Sequence, residues 1–139
     1  MNRDGQSHLA LIILAVRDLK RSLEFYRQVF GWPLLVDSPP YKEFQMPSGQ
    51  RLGIYFHEGF GRNTGQPPTL APAGETTGTE LYFYATDPPA LMAKLQTAGA
   101  RLLSAMARRP WNDEAAYYAD PDGHILVVAQ AASPLAPAG

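Results

Sequence analysis

LALIILAVRDLKRSLEFYRQVFGW, residues 9–32, holds an apolar strand, a capped helix and a stop signal in one continuous stretch. Leu9–Val16 is apolar throughout and ends at the charge of Arg17. Such a run reads as an apolar strand, and it is far too short to cross a bilayer. Asp18 stands where a carboxylate can accept from the free N–H groups of a first helical turn, and Gly31 stands where a left-handed residue ends a helix. Between them Leu19, Leu23, Tyr26 and Phe30 recur at helical spacing, which predicts a helix over 19–30 with one apolar stripe. Arg17, Lys20, Arg21, Glu24 and Arg27 then fall mostly on the solvent side.

The same plan recurs in the second half of the chain. Leu81–Ala85 is the strand, Asp87 the cap and Pro88 the first-turn residue; Leu91, Leu95 and Ala98 form the stripe and Gly99 the stop. Strands are expected after the first helix at Leu34–Val36, Tyr41–Met46 and Leu52–His57. After the second they are expected at Arg101–Met106, Glu114–Tyr118 and Ile125–Ala129. Ser48-Gly49 and Asp122-Gly123 mark a turn before the last strand of each set. The chain therefore reads as a single α+β domain over residues 1–131, built from two βαβββ modules at 8–57 and 79–131. The linker 58–78 is rich in Gly, Pro and Thr and predicts a long flexible loop, and the Pro- and Ala-rich segment 132–139 predicts a disordered tail.

Composition narrows the function classes. At 139 residues and 45% hydrophobic content the chain can bury a real core. Twelve basic residues stand against thirteen acidic ones, with no basic stripe, which argues against a nucleic-acid partner because phosphate binding needs clustered Lys and Arg. With no cysteine there is no disulfide, no thiolate metal site and no Cys nucleophile. No nucleotide-binding glycine loop or Gly-x-Ser-x-Gly elbow is present. Met1–Gly5 opens on polar residues without a hydrophobic signal core, so a cytoplasmic protein with no membrane association is expected.

Strand alternation then separates two faces. Leu52, Ile54 and Phe56 share one face of their strand, and Gly53, Tyr55 and His57 share the other. Leu81, Phe83 and Ala85 oppose Glu80, Tyr82 and Tyr84 in the same way. A sheet backed by helices on its apolar side would present Tyr55, His57, Glu80, Tyr82 and Tyr84 on the other. Rings with a few polar groups are what ligand pockets use, so a small organic ligand, planar or aromatic, is the expected partner. Trp111, beside Pro110 and Asn112 and just before a strand, reads equally as core or as a wall of that site. A Glu80 buried among tyrosines would have a raised pKa and could act as a general base.

Val16-Arg17-Asp18-Leu19, Ser22, Phe25-Tyr26 and Phe30-Gly31 resemble the first-helix signature of the vicinal oxygen chelate superfamily, the group of glyoxalase I, bleomycin resistance proteins and extradiol dioxygenases. Pro110-Trp111, Ala116-Tyr117-Tyr118 and Asp120-Pro121-Asp122-Gly123 resemble its closing motif. The resemblance implies paired βαβββ modules forming a curved mixed-sheet cup, and a homodimer. It also implies where enzymes of the superfamily hold a divalent metal, at positions that correspond here to Leu11, Gly53, Glu80 and Val127. Leu and Val have no lone pair to give and Gly has no side chain, whereas a catalytic metal wants about three protein ligands. A metal-independent binding protein without a cofactor is therefore expected, similar to the bleomycin-resistance branch and sequestering an antibiotic or metabolite. The alternative is a metal-dependent lyase, isomerase or dioxygenase with a non-standard divalent site built on Glu80, His57 and a third group. His124 alternates away from Val127 and is expected at the surface beside its turn, and His8 lies three residues before Leu11.

Overall fold

A computed structural model describes residues 5–132; the tail expected over 132–139 lies outside the described residues from 133 onward. The elements run β1 (Leu11–Val16), α1 (Leu19–Phe30), β2 (Leu34–Ser38), β3 (Tyr41–Gln45), β4 (Arg51–Phe56), α2 (His57–Thr64), β5 (Glu80–Tyr84), α3 (Pro88–Thr97), β6 (Arg101–Arg108), β7 (Glu114–Ala119) and β8 (Ile125–Gln130). Two four-stranded mixed sheets result, ordered β1-β4-β3-β2 and β5-β8-β7-β6. In each, the strand before the helix pairs parallel with the last strand of its set, and the other neighbours are antiparallel. The repeat is therefore topological as well as sequential. The chain divides into two compact units, one taking in residues up to Leu23 and Gly31–Thr69, the other Glu24–Phe30 and the chain from Leu70.

Both helix caps form as their sequences dictate. The Asp18 carboxylate accepts from the Arg21 N–H at 3.1 Å, and that of Asp87 from the Ala90 N–H at 3.2 Å. Gly31 and Gly99 follow the helices at φ 67° and 91°, conformations that any Cβ would penalise. The stripe of α1 is centred one position away from its expected line. Ser22, Phe25, Tyr26 and Val29 are the buried residues, while Leu19, Leu23 and Phe30 flank them half-buried. Spacings of three and four residues allow both stripes, and only packing selects between them.

In the first unit Leu14, Ile54, Leu52 and Phe44 are buried on one side of the sheet, where Trp32 meets Phe44 edge-on at 6.2 Å. In the second, Leu126 and Val128 are buried on the side that carries Phe83, whose ring lies 4.9 Å from that of Phe30. The second half of α1 belongs to this unit. Its Tyr26 hydroxyl donates to the Asp120 carboxylate at 2.6 Å.

The linker corrects the sequence reading. Residues 57–64 form α2, closed by Gly65 at φ 87°, and β4 ends at Phe56 so that His57 begins the helix instead of ending the strand. Two glycines disguise this helix. A Cβ at Gly59 would overlap the Tyr55 ring, and one at Gly61 would crowd the Gln66 carbonyl and Pro67 at 3.1 Å. Helix propensity is sacrificed there for close approach. Further on, the Thr77 N–H donates to the Gly123 carbonyl at 2.8 Å, and the Glu75 carbonyl lies where a Gly123 Cβ would be. The linker's second half is thus fitted to the Asp120–His124 turn rather than forming a free loop.

Candidate functional site

On the first sheet, register places Leu11, Ile13 and Ala15 beside Arg51, Gly53 and Tyr55, with Glu43 opposite Gly53 and Tyr41 opposite Tyr55. The resulting face is polar at its centre. Tyr41 donates its hydroxyl to Glu43 at 2.6 Å, and the Arg51 guanidinium meets the other Glu43 oxygen at 2.8 Å. Glu43 is 6% exposed, so this charge is buried with two hydrogen bonds, one of them from its half-exposed ion-pair partner Arg51, as burial demands. Burial first and the Glu43 carboxylate second drive the Tyr41 phenol well above its ordinary pKa. The same phenol lies over Gly53, and a Cβ at that position would overlap its hydroxyl oxygen.

Tyr55 keeps its expected strand face, whereas His57 leaves the strand. The Tyr55 ring packs between Tyr41, 5.1 Å away, and Gly59 of α2, and its hydroxyl accepts from Asn63 at 3.2 Å. His57 lies 4.6 Å from the Phe56 ring and lines a cleft of about 530 Å³ with Glu58, Arg62, Gln66, Pro67 and Pro68. The α2 helix, hidden in a glycine-bearing linker, packs Gly59 against the Tyr55 ring and takes His57 off the strand.

The second unit gathers three of the expected residues around one that sequence reasoning missed. Tyr82 and Tyr84 project two residues apart from β5, with rings 5.7 Å apart and edge-on at 86°. Both hydroxyls donate to a single oxygen of Asp113, at 2.7 and 3.0 Å, and the Trp111 indole N–H donates to the Tyr82 oxygen at 2.8 Å. The other Asp113 oxygen accepts from the Ala132 N–H at 3.2 Å. Tyr82, Tyr84 and Trp111 are 36, 64 and 53% exposed, whereas Asp113 is 5% exposed. A tight turn makes this possible. The Asn112 N–H donates to the Arg109 carbonyl, and Asn112 adopts φ 78°, so Trp111 rides the tip while Asp113 turns back beneath the rings. An Asn between Trp and Asp before a strand was the available signal, since Asn tolerates the left-handed region better than most residues.

Electrostatics follow from these contacts. The Tyr82 and Tyr84 hydroxyls hold the Asp113 carboxyl below its ordinary value, against a smaller opposing effect of burial. In return Tyr82 is raised by partial burial and by Asp113, partly offset by the Trp111 N–H, and Tyr84 is raised chiefly by its bond to Asp113. Glu80 shares the side of β5 that carries Tyr82 and Tyr84 but is exposed at the strand's start, and its side chain makes no hydrogen bond among the described residues. Without burial or a proton partner it is not set up as a general base.

Three of the four implied metal positions offer no ligand, which leaves only the Glu80 carboxylate. Leu11 and Val127 present hydrocarbon, and Val127 is fully buried in a cluster with Ala115 and Ala129. Gly53 is roofed by Tyr41, and among the described residues no three of His, Asp and Glu come together as a donor set. His8 is exposed before β1. His124 corrects another expectation, since it is 7% exposed, its ring nitrogen 3.2 Å from the Thr77 hydroxyl. Its parity is as expected, and the linker residues packed on the turn are what bury it. Asp120, which accepts from Tyr26 and from the N–H groups of Asp122 and His124, is held above the ordinary carboxylate value by burial.

Two mixed sheets of identical strand order, each with a helix following the strand that pairs parallel with the last of its set, define the class of protein. The chain belongs to the glyoxalase-like family of the vicinal oxygen chelate superfamily, whose glyoxalase-like domain model matches residues 9–133. Among solved structures it is similar to a glyoxalase-related enzyme from Fulvimarina pelagi, with 28% identity and a TM-score of 0.77 over 91% of this chain and 89% of that one. It is also similar to a glyoxalase/bleomycin resistance protein/dioxygenase from Nocardioides, with 22% identity and a TM-score of 0.75 over 96 and 90% of the two chains. A family enzyme from Burkholderia phytofirmans PsJN matches at 24% identity and a TM-score of 0.72, over 89 and 98%. Among the described residues no helix is long and apolar enough to cross a membrane.

Proposed function

We propose that this chain is a metal-independent binding protein of its family that sequesters a small organic molecule, an antibiotic or a metabolite, on the rings of Tyr82, Tyr84 and Trp111. The observation that carries this reading is the exposure of three aromatic side chains fixed by hydrogen bonds to one another and to Asp113. Ring faces locked in place give a ligand contact area at little entropic cost. Tyr41 over Gly53 supports the metal-free half of the reading, because that position neither supplies a donor nor leaves room for one. Action as a homodimer is part of the same proposal, and sedimentation of the purified protein tests it.

Metal analysis and native mass spectrometry of the natively purified protein test the reading together. The expected result is no stoichiometric divalent metal, with a retained organic adduct that Trp111→Ala reduces. Near-stoichiometric iron, zinc, nickel or manganese, lost in Glu80→Ala, would overturn it in favour of a metal-dependent enzyme.

A further inference from the structure

Asp113 is a nearly buried carboxylate whose surroundings keep it ionised, yet no Lys, Arg or His among the described residues pairs with its side chain. The nearest candidate, Arg109, directs its guanidinium elsewhere. It donates to the Ala115 and Ala105 carbonyls and to Ser104, and lies 4.9 Å above the Tyr117 ring. The negative charge is instead passed outward through two phenol hydrogen bonds to rings that face solvent. A phenol donating to a carboxylate carries extra electron density, which strengthens the attraction of its ring for a cation. At the same time the polar hydrogens of the cluster are spent. Both hydroxyls point at Asp113 and the indole N–H points at Tyr82, so none is left to recognise a carbonyl or phosphate. Exposed Glu80, two residues from Tyr82 on the same side of β5, adds a second negative charge.

Resting on the binding function proposed above, we infer that the ligand taken by the Tyr82–Tyr84–Trp111 cluster is an organic cation, an N-alkylated heteroaromatic or quaternary amine, with Asp113 as its counter-charge beneath the rings. Neutral planar molecules meet the same ring area but not the charge. Anions meet a carboxylate and no donor.

The test uses 1-methylquinolinium and quinoline, matched in shape and differing in charge at neutral pH. Trp32 is 8% exposed and Trp111 53%, so Trp111→Phe assigns the indole N–H signal to follow in proton–nitrogen correlation spectra of the full chain. The cation is expected to shift the Trp111 signal with an affinity about tenfold above that of quinoline, a preference that added salt reduces. Asp113→Asn is expected to abolish the preference. Tyr84→Leu, at an exposed ring outside the core, is expected to weaken cation binding several-fold, and serves if the Asp113 variant does not fold. Equal binding of the two probes, unchanged in either variant, overturns the cationic ligand and leaves the binding function standing. No shift of the Trp111 signal with either probe overturns both.

Discussion

Gly53 shows how much one missing side chain decides. Its backbone is unstrained, so its role is to leave room for the Tyr41 phenol, which is pinned to Glu43 and lies tilted against the Tyr55 ring. Gly53→Ala must push that phenol aside. The expected cost is about 1–3 kcal/mol from overpacking and a weakened buried hydrogen bond, read as a lower urea midpoint with an unchanged slope. Adding Tyr41→Ala to the same chain should make Gly53→Ala nearly neutral; equal costs in both backgrounds would sink the explanation. At this scale alternation along single strands placed Gly53, Tyr55, Tyr82 and Tyr84 on their faces. What it could not give was any neighbour across strands. Tyr41 reaches Gly53 diagonally, through a register that depends on the whole β3–β4 pairing. Asp113 was illegible for a related reason, since its partners are 29 and 31 residues away in sequence.

Helix α2 carries two arguments of opposite sign. Propensity alone says that Gly59→Ala stabilises an eight-residue helix by about 1 kcal/mol. Packing says the reverse, because the new methyl meets the Tyr55 ring, itself held between Tyr41 and Asn63. Net destabilisation is expected by thermal melting, and the Tyr55→Ala background should restore the gain that propensity forecasts. A gain in the otherwise unchanged chain would mean the ring moves freely. The sequence hid this helix because its apolar content is low and its glycines mimic a loop. The other elements were legible because each has a cap, a stripe or an alternation of its own. Their bounds follow the expected ones to within a few residues.

For the whole chain, charge buried at the Asp120–His124 turn sets a pH dependence. Burial holds Asp120 above its ordinary value of 3.8, against the donors that favour the carboxylate. An acid whose folded pKa is raised is ionised first in the unfolded chain. Its contribution to stability is therefore full below 3.8 and declines as pH rises through the folded value. Asp120→Asn removes the titration along with part of the hydrogen bonding to Tyr26 and the turn. The deficit of that variant against the parent chain should be largest near pH 3 and shrink toward neutrality, measured as urea midpoints across the range. A deficit that grows with pH would mean that the donors outweigh burial. Tyr26 stands in the first repeat by sequence and in the second unit by its bond to Asp120.

Strand order has a further consequence, in time rather than in space. Leu11 pairs with Arg51 and Glu80 with Ile125, across 40 and 45 residues, while the antiparallel neighbours in each sheet are joined by short turns. Ends so far apart meet at the greatest loop entropy in their sheet. Loop entropy thus favours assembly of each module from its late end, a three-stranded meander that forms locally before it receives the strand that precedes the helix. On a growing chain, the first strand to emerge in each half is the last to find its place.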